Sequence, residues 1–313
     1  MGTFVGHIVP GLCLVLLGVW HMFNTIIEYS FKGRTTFTSK FWYPFNCPFF
    51  KLLKYSELIL IFTFSVFAAI IQILDYPHFQ FSFEFINLEH MTIFLHLALY
   101  SGFTLAGELT NSPEMLSGIV GILASSVFGQ ELFLLHYHSA DRIGLEGHYH
   151  WLLQVIVFFT FISAVGMTSY PGSFKLSALL SVLVVLQGCW FINMGFMLWA
   201  PSFVPTGCNV NWIKHGNGIH GVVTCMTDAA RVRAAAVANL QFSWILGGIL
   251  TFTAFSCLKI VRESRLRSQS TAYEQLRIRG VDVNQILVDG VDVCKQVDSK
   301  DTIVSFSVNL SQI

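Results

Sequence analysis

Charge is what this chain has least of. Asp, Glu, Lys and Arg make up only 12% of its 313 residues, and the formal net charge is zero. A soluble domain carries about 25% charged residues, so too few are present to cover a water-facing surface. The zero balance also gives no electrostatic case for nucleic acid or an acidic substrate as partner. The seven Cys form no Cys-x-x-Cys pair, which argues against a zinc ribbon or a thioredoxin-type motif. No P-loop, Gly-x-Ser-x-Gly elbow, His-Glu-x-x-His or Rossmann fingerprint occurs. The arginine and Asn-Pro motifs of rhodopsin-like receptors are missing, and no internal repeat is obvious. The first apolar run lacks a basic flank and a small-residue cleavage site, and is read as a retained helix rather than a signal peptide.

What fills the chain is apolar. Hydrophobic residues reach 54%, Phe alone contributes 30 residues, and mean hydropathy is +0.62. The apolar runs are long and continuous, without the ~10-residue alternation of a membrane barrel. About 20 apolar residues carry a helix across the hydrocarbon layer, where backbone groups must be satisfied within the segment. The fold class expected is therefore all-α, a polytopic membrane bundle of about seven transmembrane helices. The spans lie near residues 6–28, 56–74, 88–109, 115–137, 149–169, 175–199 and 236–260. The aromatic and basic segment Phe41–Tyr55 carries Pro44 and Pro48 and is expected to lie at the interface. Two domains follow: a seven-helix transmembrane domain over 1–262, and a flexible cytoplasmic tail over 263–313. In that tail the repeated Gly-Val-Asp-Val (280–283 and 290–293) reads as chance or a weak strand.

Lys and Arg accumulate in cytoplasmic segments. Lys32, Arg34, Lys40, Lys51 and Lys54 share the first loop, Lys175 the fifth, and Lys259, Arg262, Arg265 and Arg267 follow the last span. Against them stand Arg142, Lys214, Arg231 and Arg233. The bias places the N-terminus outside or luminal and the tail in the cytoplasm.

Threading the eleven His through that topology leaves only His21 in the inner half. The rest, His78, His215 and His220 among them, fall on the outer side. The densest part is Glu131-Leu-Phe-Leu-Leu-His136-Tyr-His138, then a short link and His148-Tyr-His150. Glu131 and His138 are seven apart, nearly one helical face, and the short loop makes the fourth and fifth helices antiparallel neighbours. Ionisable groups inside a membrane are costly and invite a functional reading. Imidazole and carboxylate are ligands for zinc and related metals. The candidate ligand set is Glu131, His138 and His150, with His90 or His7 as a fourth, and zinc as the candidate cofactor. A polar packing or proton-linked site, or unrelated interfacial His, fits the same residues. His136 and His148 point elsewhere on regular helices.

Glu28 and Glu108 read as solvated carboxylates at helix ends. Gln154, Gln187, Asn193, Asn239 and Gln241 read as interhelical hydrogen-bonding groups. Gly188 and Gly195, and likewise Gly247-Gly248, read as close-packing positions. Cys208 and Cys225 share the outer sixth loop, where a disulfide is permitted and would close the loop holding His215 and His220.

These residues resemble a known family. Gly6-His7, Pro10-Gly11 and Gly18 with Trp20 are similar to the N-terminal signature of the transmembrane protein 45 family. Glu131 through Leu152 is similar to the same family, most of all its plant members. Leu186-Gln187-Gly188-Cys189-Trp190-Phe191 with Gly195-Phe196 resembles its sixth-helix motif. Within the Glu131–Leu152 stretch, Glu131, His138 and His150 occupy the positions where the family motif has Glu, His and His. Glu89-His90 departs from the His-His of animal members, which bears on His90 as a ligand. The resemblance spans roughly residues 1–262. It implies a multipass, roughly seven-helix membrane protein of no settled activity, its plant members associated with stress or virus response. The function expected is a noncatalytic scaffold, trafficking or lipid-interacting protein, with the bilayer, lipids or other membrane proteins as partners. The alternative is a metal-dependent intramembrane hydrolase acting on a lipid. A transporter is poorly supported, because few polar groups continue into the inner half.

Overall fold

Every long apolar run becomes a helix. The structure, a computed structural model, describes residues 4–45, 51–75, 80–81, 85–110, 113–140, 144–215 and 218–297. Helices α1 (Phe4–Thr36), α2 (Ser56–Ile73), α3 (Phe85–Leu109), α4 (Pro113–Ala140), α5 (Leu145–Ser169), α6 (Phe174–Trp199) and α7 (Asp228–Val297) appear in chain order. Each contains a stretch long and apolar enough to cross a membrane. The chain is an all-α polytopic membrane bundle. Short elements fill the connections: a 3₁₀ turn at Lys51–Tyr55, and two antiparallel pairs, β1 (Leu74–Asp75) with β2 (Gln80–Phe81) and β3 (Cys208–His215) with β4 (Gly218–Cys225).

The chain divides into two compact units, 1–260 and 261–313. In the second, the described backbone is helical as far as Val297. Both Gly-Val-Asp-Val repeats lie in that helix, correcting the weak-strand reading. A short Val-rich repeat mimics a strand in composition, and its neighbours decide otherwise. The first helix also runs past its expected end, with a break in helical geometry at Gly33 (φ 72°).

In lipid there is little hydrophobic force between helices, so association relies on close van der Waals contact at small residues. The α1–α6 pair shows this. Gly11 and Gly18 on α1, and Gly188 and Gly195 on α6, each recur at a seven-residue spacing. A methyl group built on Gly188 would lie 2.6 Å from both the Gly11 carbonyl oxygen and the Val15 nitrogen. On Gly11 it would lie 2.9 Å from the Gly188 carbonyl, and on Gly18 2.7 Å from the Val185 nitrogen. Gly195 meets Ile8 and His7, and Thr25 meets Ser177, so the two helices are antiparallel. By contrast nothing among the described residues lies within 4 Å of a methyl on Gly247 or Gly248. Those two glycines are not close-packing positions, because α7 packs through Ala230, Ala234 and Ala238 instead.

The main core lies among α5, α6 and the near part of α7, around Tyr149, Ile156, Trp190, Met194 and Leu198. Trp190 donates its indole N–H to the Tyr149 carbonyl oxygen at 3.0 Å. The amides expected to bridge helices do so. Gln154 donates to the Leu135 backbone carbonyl, Asn193 to the side-chain amide oxygen of Gln241, and His148 pairs with the Asn239 side chain. A disulfide joins Cys208 to Cys225, which face each other at the open ends of β3 and β4.

Candidate functional site

Glu131 sits on α4, buried at 7% exposure. Its carboxyl accepts from the Gln187 side-chain N–H at 2.7 Å. Gln187, on α6, is 1% exposed. This answers the need of an intramembrane carboxyl for a partner: α4 is tied to α6 by one buried hydrogen bond. The Gln187 side-chain amide oxygen is buried with no hydrogen-bond partner among the described residues.

The remaining candidates lie on several helices. His7, near the start of α1, is buried and sits among aromatic rings. Its ring centroid is 4.2 Å from Trp199, 5.8 Å from Phe191 and 6.3 Å from His150, the last edge-on. His150 is buried on α5, and its Nδ1 lies 2.8 Å from the Glu146 carbonyl oxygen. A carbonyl only accepts, so Nδ1 carries the proton and Nε2 of the neutral ring is the basic nitrogen. His90, on α3, is half-buried beside a cleft of about 20 Å³ lined by Glu89, His90, Ile93, Leu134 and Leu135. That space admits about one water, not a lipid headgroup. His138 falls within the α4 backbone, but its side chain lies outside the described residues, as do those of His215 and His220 and the whole of His78.

The structure therefore brings His7 to His150, and Glu131 to Gln187. Among the described residues, no group of three or more His, Cys, Asp or Glu could hold a metal ion. His136 is exposed and packs on Tyr137, and His148 pairs with Asn239, so both point elsewhere as their helical positions imply.

A second polar cluster lies at the end of the bundle carrying the α1–α2 connection, and sequence reasoning missed it. Glu57, in the first turn of α2, is 8% exposed. One oxygen pairs with His21 Nε2 at 2.8 Å. The other accepts from the Trp20 indole N–H and the Tyr43 backbone N–H, both at 2.9 Å. Nearby, Glu28 pairs with Lys32 and Lys40, so it is not the solvated helix-end carboxylate expected. Burial pushes the Tyr43 phenol up to about 12. The missed signal was position: Trp20-His21 towards the second end of one run, and Glu57 at the adjoining edge of the next.

The segment expected at the interface is in part folded inward. Tyr43 is 3% exposed, as is Phe37 just ahead of the segment. Their neighbours in the bundle supply what lipid headgroups would have: Tyr43 hydroxyl pairs with Thr25, and the Phe41 carbonyl accepts from Tyr100.

Comparison with known proteins bears on the half of the chain holding Glu131 and His150. Residues 117–258 match a family described as a family of unknown function, DUF716. The match takes in most of α4, all of α5 and α6, the β3–β4 hairpin and the first part of α7. The chain is 25% identical over 219 residues to transmembrane epididymal protein 1A of Mus musculus, covering 64% of this chain and 68% of that protein. It is 24% identical over 216 residues to transmembrane epididymal protein 1 of Rattus norvegicus, with the same coverage of each. Both relatives are named as transmembrane proteins, in keeping with an integral, multi-pass membrane protein.

Proposed function

We propose that this chain is a noncatalytic membrane protein of the transmembrane protein 45 kind, acting as a scaffold, trafficking or lipid-interacting component. One observation carries the reading. The buried carboxyl of Glu131 is engaged by Gln187 of a neighbouring helix, so its polarity serves helix–helix attachment. The interhelical bonds of Gln154, Asn193 and Asn239 serve the same end. The apolar exterior faces the bilayer and, through it, lipids or other membrane proteins. The N-terminus lies outside or luminal and the tail in the cytoplasm. The Lys and Arg bias supports this, as does the Cys208–Cys225 bridge, which belongs in an oxidising compartment.

A second reading is a zinc-dependent intramembrane hydrolase acting on a lipid, and the approach of His7 to His150 favours it. His150 has its Nδ1 proton on a carbonyl, the outer hydrogen bond that orients zinc-ligating His. Glu131 and His138, with His90 or His7 as a fourth, would complete the set, and zinc would supply an activated water. Metal analysis of the purified protein separates the two. The first reading predicts metal-free protein, and a Glu131→Gln variant that folds as well as the parent. Stoichiometric zinc, lost in Glu131→Gln and in His150→Ala, would overturn it in favour of the second.

A further inference from the structure

Where the last apolar run gives way to charge, the charge is patterned. Lys259, Arg262, Arg265 and Arg267 are followed at once by Ser268, Ser270 and Thr271. Basic residues at the end of a span are ordinary anchors, and Lys259 and Arg262 are accounted for that way. Arg265 and Arg267 carry a further regularity. They stand five and three positions ahead of Ser270, as Arg-x-Arg-x-x-Ser, and three and one ahead of Ser268. Of the nine Arg in the chain, these two alone have a Ser or Thr three positions on. That spacing suits a protein kinase with acidic pockets beside its substrate groove. Each guanidinium meets a carboxylate, and the pairing sets the register of the hydroxyl.

The fold favours this stretch over its nearest rival. Thr35 has Lys32 three positions ahead and Arg34 one ahead, and it too is exposed. But Phe37, two positions on, is buried and packs against Tyr29 and Phe174, so the chain beyond Thr35 is held in the bundle. The Arg265 stretch belongs instead to the second compact unit, which begins at Val261. Arg262, Glu263, Arg265 and Leu266 are all exposed there. Its backbone is helical, and an acceptor segment has to open to enter a kinase groove. Ser268-Gln269-Ser270-Thr271 makes opening easy, because Ser competes for nearby backbone groups and Thr loses side-chain freedom in a helix.

We propose that Ser270 and Ser268 are phosphorylation sites for an arginine-directed Ser/Thr protein kinase, with Arg265 and Arg267 as the recognition residues. The serine Oγ attacks the γ-phosphorus of a nucleoside triphosphate. A new O–P bond forms as the bond to the β–γ bridging oxygen breaks. The nucleoside diphosphate leaves, and the hydroxyl proton passes to a carboxylate of the kinase. From Lys259 to Arg267, four basic groups less Glu263 leave a net charge of +3. Each phosphate adds about −1.5 to −2, so two of them cancel it, the change that loosens a basic segment from anionic lipid. The proposal rests on the reading that the tail is cytoplasmic.

The full chain in lipid nanodiscs, which leave both faces open, tests the site whichever way the tail points. It is incubated with ATP and the catalytic subunit of an arginine-directed kinase, and phosphate is located by peptide mass spectrometry. Phosphate is expected at Ser270 and Ser268. Arg265→Gln combined with Arg267→Gln keeps both hydroxyls and is expected to slow labelling at least about tenfold, the weight of one hydrogen bond to a charged group. Arg262→Gln, outside the pattern, should label as the parent does. A parent that takes up no phosphate at these serines, or takes it at Thr35 instead, would overturn the proposal, and needs no variant to fold. Equal labelling of the double variant would overturn it as well. Glycosylation mapping of the tail in cells tests the orientation separately. A tail found outside or in the lumen would remove both that reading and the modification, even with the serines labelled in nanodiscs.

Discussion

A methyl group on Gly188 has nowhere to go, since it would sit 2.6 Å from two backbone atoms of α1. Backbone atoms cannot swing aside as a flexible side chain can. Gly188→Ala is therefore expected to force α1 and α6 apart and to cost about 1–3 kcal/mol, the usual range for overpacking. Gly247→Ala, with open space around it, is expected to be neutral or to stabilise by up to about 1 kcal/mol through helix propensity. Reversible unfolding in mixed detergent micelles compares the two, and equal losses would show that the close α1–α6 contact is not a principal attachment. The sequence treated these two glycine positions alike, because spacing reveals a helix face but not which neighbour that face meets. The same limit governed the carboxylates. Glu131 stood out in an apolar run, and its burial was legible; its partner Gln187 lies 56 positions away, and only the packing of α4 on α6 selects it. Glu57 sits at the margin of a run and was not singled out, though Trp20, His21 and the Tyr43 backbone all bond to its carboxyl.

Among the elements, the helices were legible and the connections were not. Twenty apolar residues in a row leave one physical solution in lipid, whereas a linker is shaped by what it lands on. The 37–45 segment is the case in point: Pro and aromatic residues suit an interface, but the mouth of the bundle offers Thr25, Glu57 and Tyr100 as partners. Its energetics carry a pH signature at the alkaline end. The Tyr43 phenol is pushed up to about 12 by burial, from an unfolded value near 10. A raised acid favours the folded state while it stays protonated. That contribution is complete below about pH 10 and is lost as pH rises towards about 12. Alkaline unfolding of the parent should steepen in this window, and Tyr43→Phe should remove the steepening. The β3–β4 hairpin was equally hidden, though its two cysteines were read as a permitted pair. The bridge joins positions 17 apart, and the chain-entropy account assigns such a loop about 3 kcal/mol. Reduction, or Cys208→Ser, is expected to lower stability by about that much and to expose thiols at both positions. Free thiols there in protein extracted under alkylation would contradict the bridge.

For the whole molecule, hydrophobic run length decides the count of crossings, and the placement of charge decides which way they point. Helix packing agrees with the order of the crossings: α1 lies antiparallel to α6, as first and sixth crossings must. The polar groups then sort by end. His7 and His150 approach each other at one end of the bundle, with the disulfide hairpin on the same side, while Glu57, His21 and residues 37–45 lie at the other. What the sequence left open was whether the outer His and Glu converge on an ion or bond in pairs. That depends on separations of a few ångströms between four helices, which no spacing rule supplies. The arrangement as a whole is tested most directly by mapping sides of the membrane with engineered glycosylation acceptors in cells. Acceptors inserted at the β3–β4 turn, in the α5–α6 turn near Gly172 and in the tail would be compared in the full chain. The account predicts modification at the β3–β4 turn alone; modification at Gly172 or in the tail, with the hairpin left bare, would contradict it.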